Sequence, residues 1–235
     1  MTPWAQVALE ALVGALADRR DPVAAAQMRA YMRDQFVFAG VRSAERRALA
    51  QAVFATLPRP TGDDVLSFAE ACWACDEREL QYVATDLLRR HVRLLSAADL
   101  PRLERLVLAK SWWDTVDALA VAVGAIVRRE PDARAVMDEW LASEDLWLVR
   151  VAILHQERWK LATDATWLFA ACRAHAGHRD FFVRKAIGWA LRSYAKVAPD
   201  AVQQLLDEQG ERLSGLSRRE AARGVSEGRR RRGEG

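Results

Sequence analysis

The sequence predicts an all-α protein. Apolar residues recur at spacings of three and four along most of the chain. Strand signals are almost absent, because Val, Ile and Thr never alternate with polar residues over a useful length. The helical segments are short, and the links between them are shorter. This pattern favours antiparallel helix pairs stacked in sequence, which is an α-solenoid of the HEAT type, with a compact helical bundle as the alternative.

The spacing predicts about twelve to thirteen helices, each ended by residues that commonly break helices. Breaks are expected at residues 59–62 (Arg-Pro-Thr-Gly), at Ser96, at residues 130–131 (Glu-Pro), at 176–177 (Ala-Gly) and at 198–200 (Ala-Pro-Asp). The clearest helices span residues 4–18, 23–36, 43–56, 63–75, 77–92, 97–109, 112–129, 132–142, 146–160, 164–175, 179–196, 199–208 and 217–227. A loose acidic–aromatic–Val-Arg–Ala-Ile pattern occurs in LASEDLWLVRVAIL and again in AGHRDFFVRKAIGWAL, about 34 residues later, which is a spacing typical of helical repeats.

Length and composition suit one globular unit of moderate size or a repeat array. The chain has 235 residues, of which 51% are hydrophobic and 29% charged, and its net charge of +3 is compatible with nucleic-acid binding without requiring it. We therefore expect a single domain over residues 1–227. Residues 228–235 are rich in Arg and have no apolar face, so we expect a disordered basic tail there. This tail either adds nonspecific attraction to phosphate or is simply a solvated end.

The cysteines and the N-terminus predict a cytoplasmic protein. Three cysteines are an odd count that suits a reducing compartment, and the amphipathic N-terminal segment contains acids, which argues against a secretory signal. The sequence has no run of eighteen apolar residues, so we expect no membrane span. Cys72 and Cys75 form a CxxC within an expected helix, which favours core packing over a metal or redox site; we expect neither metal nor cofactor.

The segment KSWWDTVDALA, residues 110–120, begins a predicted helix with two tryptophans and carries two aspartates. Ser111 and Asp114 have the spacing of a capping box, which gives Asp114 a structural role. At 100° per residue, Asp117 lies about 40° from Trp113, on a strip of small residues beside the core. Such a strip could hold a ligand. Alternatively, Trp113 packs on the next helix and Asp117 pairs with an Arg.

The helix predicted over residues 179–196 carries a narrow line of three cations and one tryptophan, all on one face: Lys185, Trp189, Arg192 and Lys196. Cations with an interleaved aromatic suit a phosphodiester backbone and its sugars, although a solvated basic face with a Trp under the side-chain stems would look the same. Arg150 lies inside a strongly apolar helix, where a guanidinium needs an anion, either internal or external.

Four segments together resemble the AlkD-type DNA alkylation-repair glycosylases: KSWWDTVDALA, DLWLVRVAILHQ, FVRKAIGWALRSYAK and MRAYMRDQFVFAGVRSAERR. The resemblance covers about residues 20–224, in the same order and at similar spacing. Ser-Tyr-Ala-Lys stands where the family often has Glu-Tyr-Ala-Lys, which is a small departure, and the Arg-rich end is an addition.

The resemblance implies a curved HEAT-like solenoid whose concave, basic surface holds double-stranded DNA. We expect the protein to act as a monomer that is associated with the nucleoid. It implies excision of cationic alkylated purines, such as 3-methyladenine and 7-methylguanine, by hydrolysis of the N-glycosidic bond, without drawing the base into a pocket. By position it assigns catalysis to Trp113, Asp117 and Trp189 and DNA binding to Arg150, Tyr31, Lys185, Arg192, Lys196, Arg46 and Arg47. A noncatalytic HEAT-like scaffold that binds DNA or protein is the alternative, because fold alone does not determine function.

The expected chemistry makes a specific demand on Asp117. An alkylated purine is already cationic and leaves readily, while positive charge develops on the deoxyribose as the bond stretches. A fixed carboxylate near the sugar stabilises that charge and can orient a water. We therefore expect Asp117 to be ionised and free of any internal guanidinium.

Overall fold

The protein is all-helical, as predicted from the spacing of its apolar residues. The structure is a computed structural model and describes residues 1–233, in which there is no β-strand but a single isolated bridge between Val37 and Glu77. The chain divides into two compact units, Met1–Lys110 and Ser111–Gly235, where a single domain over residues 1–227 was expected. No described helix is both long and apolar enough to cross a bilayer.

The first unit contains six α-helices. They are α1 (Pro3–Ala17), α2 (Pro22–Tyr31), α3 (Ser43–Ala55), α4 (Gly62–Ala74), α5 (Arg78–His91) and α6 (Leu100–Leu108). Helix α4 packs against α1 and α5, and its core residues, among them Leu66 and Phe68, are fully buried. A capping box between Thr61 and Asp64 satisfies the first amides of α4.

The described residues of the second unit, 111–233, form seven α-helices. They are α7 (Trp113–Arg129), α8 (Arg134–Leu141), α9 (Leu146–Leu154), α10 (Ala165–Ala174), α11 (Phe181–Ala195), α12 (Pro199–Gln209) and α13 (Gly215–Arg231). Short 3-10 segments link helices in both units: Val92–Leu94, Ala97–Asp99, Pro131–Ala133, Lys160–Ala162 and Gly210–Arg212.

Helices α7, α9, α11 and α13 pack in this order and run in the same direction. Asp117 near the start of α7 contacts Arg150 of α9, and Gly124, two turns later, contacts His155 at the end of α9. Residue numbers therefore rise in the same direction along the two helices. The approach is close, because a Cβ added at Gly124 would lie 1.7 Å from the carbonyl oxygen of His155. Glycine at this position therefore allows two backbones to touch.

The two copies of the acidic–aromatic pattern form equivalent local structures at the starts of α9 and α11. Asp145 is the N-cap of α9 and accepts from the amides of Trp147 and Leu148. Asp180 does the same at the start of α11, accepting from the amides of Phe182 and Val183. Each aspartate satisfies two amides that have no partner within the helix, which explains why an acid precedes the aromatic residue in both copies.

Before α13, the predicted helix boundaries were wrong at three places. Helix α2 ends at Tyr31 instead of residue 36, because Arg33 and Asp34 adopt positive φ angles of 55° and 58°. Helix α9 ends at Leu154 instead of residue 160. Helix α6 starts at Leu100, after a 3-10 turn where the helix was expected to begin.

The expected disordered tail is helical up to Arg231. Helix α13 continues because Gly228 packs against the backbone of Ala195, and because Arg229 and Arg232 pair with Asp200 at distances of 3.3 and 2.7 Å. A glycine contact has no apolar signature in the sequence, which is why the tail looked solvated. Residues 234 and 235 of the expected tail lie outside the described part.

Candidate functional site

The start of α7 differs from the predicted capping box. The N-cap residue is Trp112, whose side chain cannot cap the helix, and α7 begins at Trp113, with Asp114 in the first turn. The indole of Trp112 packs edge-to-face on Phe182, with ring centroids 5.1 Å apart, and also contacts Trp147. An aromatic cluster that joins α9 and α11 therefore holds this end of α7.

Asp117 forms a bidentate ion pair with Arg150. Nε of Arg150 donates to Oδ1 of Asp117 at 2.7 Å, and Nη2 donates to Oδ2 at 2.8 Å. The expectation that Asp117 has no internal guanidinium partner is therefore wrong, and the alternative that it pairs with an Arg holds. The physical reason is that Arg150 is only 1% exposed and requires an anion within the protein.

The strip of small residues next to Asp117 is not an open floor. Gly124 is buried against the backbone of α9, and Ala120 is 1% exposed. The side chain of Asp117 nevertheless retains 23% of its exposure, so it is not fully enclosed. Asp117 thus faces α9 on one side and solvent on the other.

Arg150 also connects Asp117 to α11. Its Nη1 donates to the carbonyl oxygen of Phe182 at 2.6 Å, and its guanidinium carbon lies 5.6 Å from the ring centroid of Trp189. Nζ of Lys185 lies 5.2 Å from the centroid of the same ring. Asp117 and Trp189, two of the three residues expected to be catalytic, are therefore brought together around one buried guanidinium; Trp113, the third, lies one turn before Asp117 on α7.

Two opposing effects act on the charge of Asp117. Burial raises the pKa of the Asp117 carboxyl above its ordinary value, and the hydrogen bonds and positive charge of Arg150 oppose that rise. Burial likewise raises the pKa of Glu157, to which the nearby charge of Asp117 adds. The ion pair with Arg150 is thus the main interaction that favours the ionised form of Asp117.

The cation line of α11 is paired with acids of α13. Glu220 is 5% exposed and accepts from Nζ of Lys185 at 2.6 Å and from Nη1 of Arg192 at 3.1 Å. Arg192 also pairs with Glu227 at 2.5 Å. Lys196, at the C-cap of α11, is half-buried. The four residues share one face as predicted, but two of the cations are neutralised within the protein.

The remaining residues expected to bind DNA lie in the first unit. Tyr31 is the last residue of α2 and is 72% exposed. Arg46 is buried, stacks over Tyr82 with its guanidinium carbon 4.8 Å from the ring centroid, and pairs with Asp86. Arg47 is exposed and lies 3.7 Å from the same carboxylate. Of these three residues, Tyr31 and Arg47 offer exposed side chains.

Sequence reasoning missed the residues that hold the site together. Phe182 supplies the carbonyl oxygen that Arg150 needs, and Glu220 joins Lys185 to Arg192. The sequence spacing could have indicated Glu220 as the partner of Lys185, because it follows Lys185 by a repeat-like interval. Arg150 follows Asp117 by a similar interval. The role of Phe182 depends on a backbone atom, for which the sequence carries no signal.

The cysteine pair lies in the core and at a helix end. Cys72 is fully buried, and burial raises the pKa of its thiol well above the ordinary value. Cys75 is the C-cap residue of α4 and is half-buried. Among residues 1–233, no group of three or more His, Cys, Asp or Glu side chains has an arrangement that could hold a metal ion. Cys72 thus contributes to the core of the first unit, and Cys75 ends α4.

Comparisons with known proteins agree on one family. The model of the DNA alkylation repair enzyme family matches residues 12–224. A solved structure of a predicted DNA alkylation repair enzyme from Enterococcus faecalis is similar to the chain, with 35% sequence identity and a TM-score of 0.79, over 86% of this chain and 95% of that one. No curated protein matches the chain.

Proposed function

The chain belongs to the DNA alkylation repair enzyme family, and from this premise we propose that it is a glycosylase of the AlkD type. The proposed reaction is hydrolysis of the N-glycosidic bond of cationic alkylated purines, such as 3-methyladenine and 7-methylguanine. The proposed partner is double-stranded DNA that carries such bases, bound by a monomer.

The observation that supports this proposal most directly is the convergence of Asp117, Arg150 and Trp189. Three helices contribute one group each, a carboxylate, a guanidinium and an indole. A deoxyribose that loses its base becomes positively charged, and both a carboxylate and an indole face attract a positive charge. The cationic base leaves without protonation by a strong acid, so the proposed reaction does not need a general acid beside Asp117.

The ion pair changes how Asp117 would act. A carboxylate paired with a guanidinium stabilises a nearby cation less than a bare carboxylate does, because the two charges partly cancel. In return, Arg150 fixes the orientation of both oxygens and opposes the rise of the Asp117 pKa that burial causes. A carboxylate has about four lone-pair directions, and Arg150 occupies two of them. We infer that Asp117 and Arg150 act as one unit, in which Asp117 faces the sugar through its exposed edge.

The DNA contacts are proposed on the residues that the resemblance implies, with a different role for Arg150. Lys185 and Arg192 can still attract phosphate, although each already shares Glu220. Because Arg150 is fully buried, a direct phosphate contact would require it to leave Asp117 or Phe182. We therefore assign Arg150 primarily to holding Asp117, and direct phosphate contact to the exposed groups Tyr31 and Arg47.

A second candidate function is a noncatalytic HEAT-like scaffold that binds DNA. The same ion pair favours it, because a carboxylate paired with an internal arginine is also what a purely structural role requires. The two functions differ in whether the protein breaks a glycosidic bond.

Release of 7-methylguanine from methylated duplex DNA tests the proposal. The wild-type protein is expected to release the base, and Asp117→Asn to release it at least about a hundredfold more slowly while binding DNA with similar affinity. Glu70→Gln is the matched control, because it disrupts another Arg–carboxylate pair, with Arg102, far from α7 in sequence. If the wild-type protein releases no base while Asp117→Asn binds DNA equally well, the scaffold function is correct.

A further inference from the structure

A cavity of about 380 Å³ lies in the first unit, between α3 and α5. Its volume is in the range of small-molecule sites. A second cavity of about 210 Å³ continues from it and shares part of its lining, Gln51, Phe54, Leu87 and Arg90. None of the shared lining residues belongs to the Asp117 site, and of the residues proposed above to contact DNA only Arg47 lines the first cavity.

The floor of the cavity is apolar and partly aromatic. Ala50 and Phe54 line it from α3, and Val83 and Leu87 line it from α5. The ring of Phe54 stacks on Trp4 with centroids 5.9 Å apart and meets Phe68 edge-on. Such a supported ring offers a flat, rigid surface that suits a planar apolar group.

The rim of the cavity carries more positive charge than its own acid can neutralise. Among the described residues that line the cavity, Asp86 is the single acid. Three guanidinium groups surround it, from Arg46 at 3.3 Å, Arg47 at 3.7 Å and Arg89 at 3.0 Å. Arg90 adds a fourth guanidinium, for which the described residues provide no ion pair. One carboxylate against four cations leaves a local excess of positive charge.

The excess positive charge leaves Arg46 in an unfavourable environment, which a bound anion would improve. Arg46 is 6% exposed, and its Nε has no hydrogen-bond partner within the described residues. Burial lowers the pKa of Arg46, and the neighbouring charge of Arg47 adds to that shift despite Asp86. Guanidinium groups recognise phosphate through paired hydrogen bonds, and a phosphate can accept from several of them at once.

We propose that this cavity binds one nucleotide, with its phosphate on the guanidinium groups of Arg47, Arg89 and Arg90 and its base on the floor formed by Phe54 and Leu87. A single carboxylate ligand would need fewer cations, and an uncharged ring would need none. The nucleotide is either a free nucleoside monophosphate or an unpaired nucleotide of a DNA strand, and both present the same phosphate and planar base.

Titration calorimetry on the full chain with deoxyadenosine monophosphate tests the proposal. The nucleotide is expected to bind at least about tenfold more tightly than inorganic phosphate or deoxyadenosine alone, because both halves of the cavity then contribute. Arg90→Gln should weaken binding about tenfold, the usual effect of losing one charge-assisted hydrogen bond. Arg93→Gln is the matched control, because it removes an equal charge three residues further along, outside the lining, and should leave the affinity unchanged.

A variant that fills the cavity separates occupancy from charge. Gln51 is exposed on α3, so Gln51→Trp can place an indole over the floor without disturbing the core or the net charge. This variant should abolish nucleotide binding while its far-UV circular dichroism stays that of the wild type. Unchanged affinity in Gln51→Trp, or equal affinity for nucleotide, phosphate and nucleoside, would overturn the proposal.

The source of the nucleotide is identified by a second titration. If a short single-stranded oligonucleotide binds and loses affinity in Arg90→Gln and Gln51→Trp, the ligand is an unpaired nucleotide of a strand; if only the monophosphate shows this dependence, it is a free nucleotide. Binding here can be present when no 7-methylguanine is released, because the cavity and Asp117 lie in different units. The two proposals therefore fail separately.

Discussion

Removing the charge of Asp117 should destabilise the protein strongly, because it leaves Arg150 buried without its counter-ion. In Asp117→Asn, the guanidinium of Arg150 keeps the carbonyl oxygen of Phe182 but loses both charge-assisted bonds, of 2.7 and 2.8 Å. Breaking one side of a buried ion pair typically costs about 3–5 kcal/mol. Because 23% of the Asp117 side chain remains exposed, we expect the lower end, about 3 kcal/mol.

A double-mutant cycle isolates this effect. Arg150→Met replaces the guanidinium with an apolar side chain and leaves Asp117 able to reach water, so it should cost less than Asp117→Asn. The double variant should then be about 2 kcal/mol more stable than Asp117→Asn alone, because no unpaired charge is left in the core. Glu70→Gln, which breaks the more exposed pair with Arg102, should cost about 1 kcal/mol or less.

Urea unfolding followed by far-UV circular dichroism measures each free energy of unfolding. A loss below about 1 kcal/mol in Asp117→Asn, or strictly additive effects in the cycle, would refute the reasoning, since either result means that Arg150 does not depend on Asp117. The measurement also bears on function, because any loss of base release in Asp117→Asn has to be compared with the folded fraction of that variant.

Three further outcomes are expected. Burial raises the pKa of Asp117, so the rate of base release should fall on acidification at a higher pH than for an ordinary aspartate. In Arg150→Met this fall should occur at a still higher pH, because the opposing positive charge is gone. An identical pH profile in the two proteins would contradict the role of Arg150. Burial lowers the pKa of His155 from 6.5 to about 4, so on acidification the unfolded chain binds a proton at this residue before the folded protein does. The free energy of unfolding should therefore drop by up to about 3 kcal/mol between pH 6.5 and pH 4. In His155→Gln, the urea midpoint should lose this dependence on pH. Gly124→Ala should lower the thermal midpoint sharply, because its Cβ would meet the carbonyl oxygen of His155 at 1.7 Å. Gly14→Ala should raise the thermal midpoint slightly, because a Cβ there meets nothing within 4 Å. Equal midpoints in the two variants would refute the close approach of α7 and α9.

Local features of the fold could be read from the sequence because they depend on residues a few positions apart. The three- and four-residue spacing predicted the all-helical fold, and the repeated acidic residues Asp145 and Asp180 marked the starts of two helices in equivalent positions. Where prediction erred, the cause was nonlocal or conformational. Helix α2 ends early because two residues adopt left-handed backbone angles, and α13 runs on because Gly228 contacts Ala195 of another helix.

The sequence by itself determined which residue types lie on each helix face, including Trp113 beside Asp117 and the line from Lys185 to Lys196. Its motifs also indicated the DNA alkylation repair enzyme family. Only the tertiary structure decided which charges meet. Arg150 turned out to be the partner of Asp117, Glu220 the partner of Lys185 and Arg192, and Asp86 the single acid among the arginines of the α3–α5 cavity. The physical reason is that a face is set by the helical angle within one segment, whereas an ion pair between helices depends on how far one helix is shifted along the next, which packing of the whole core determines.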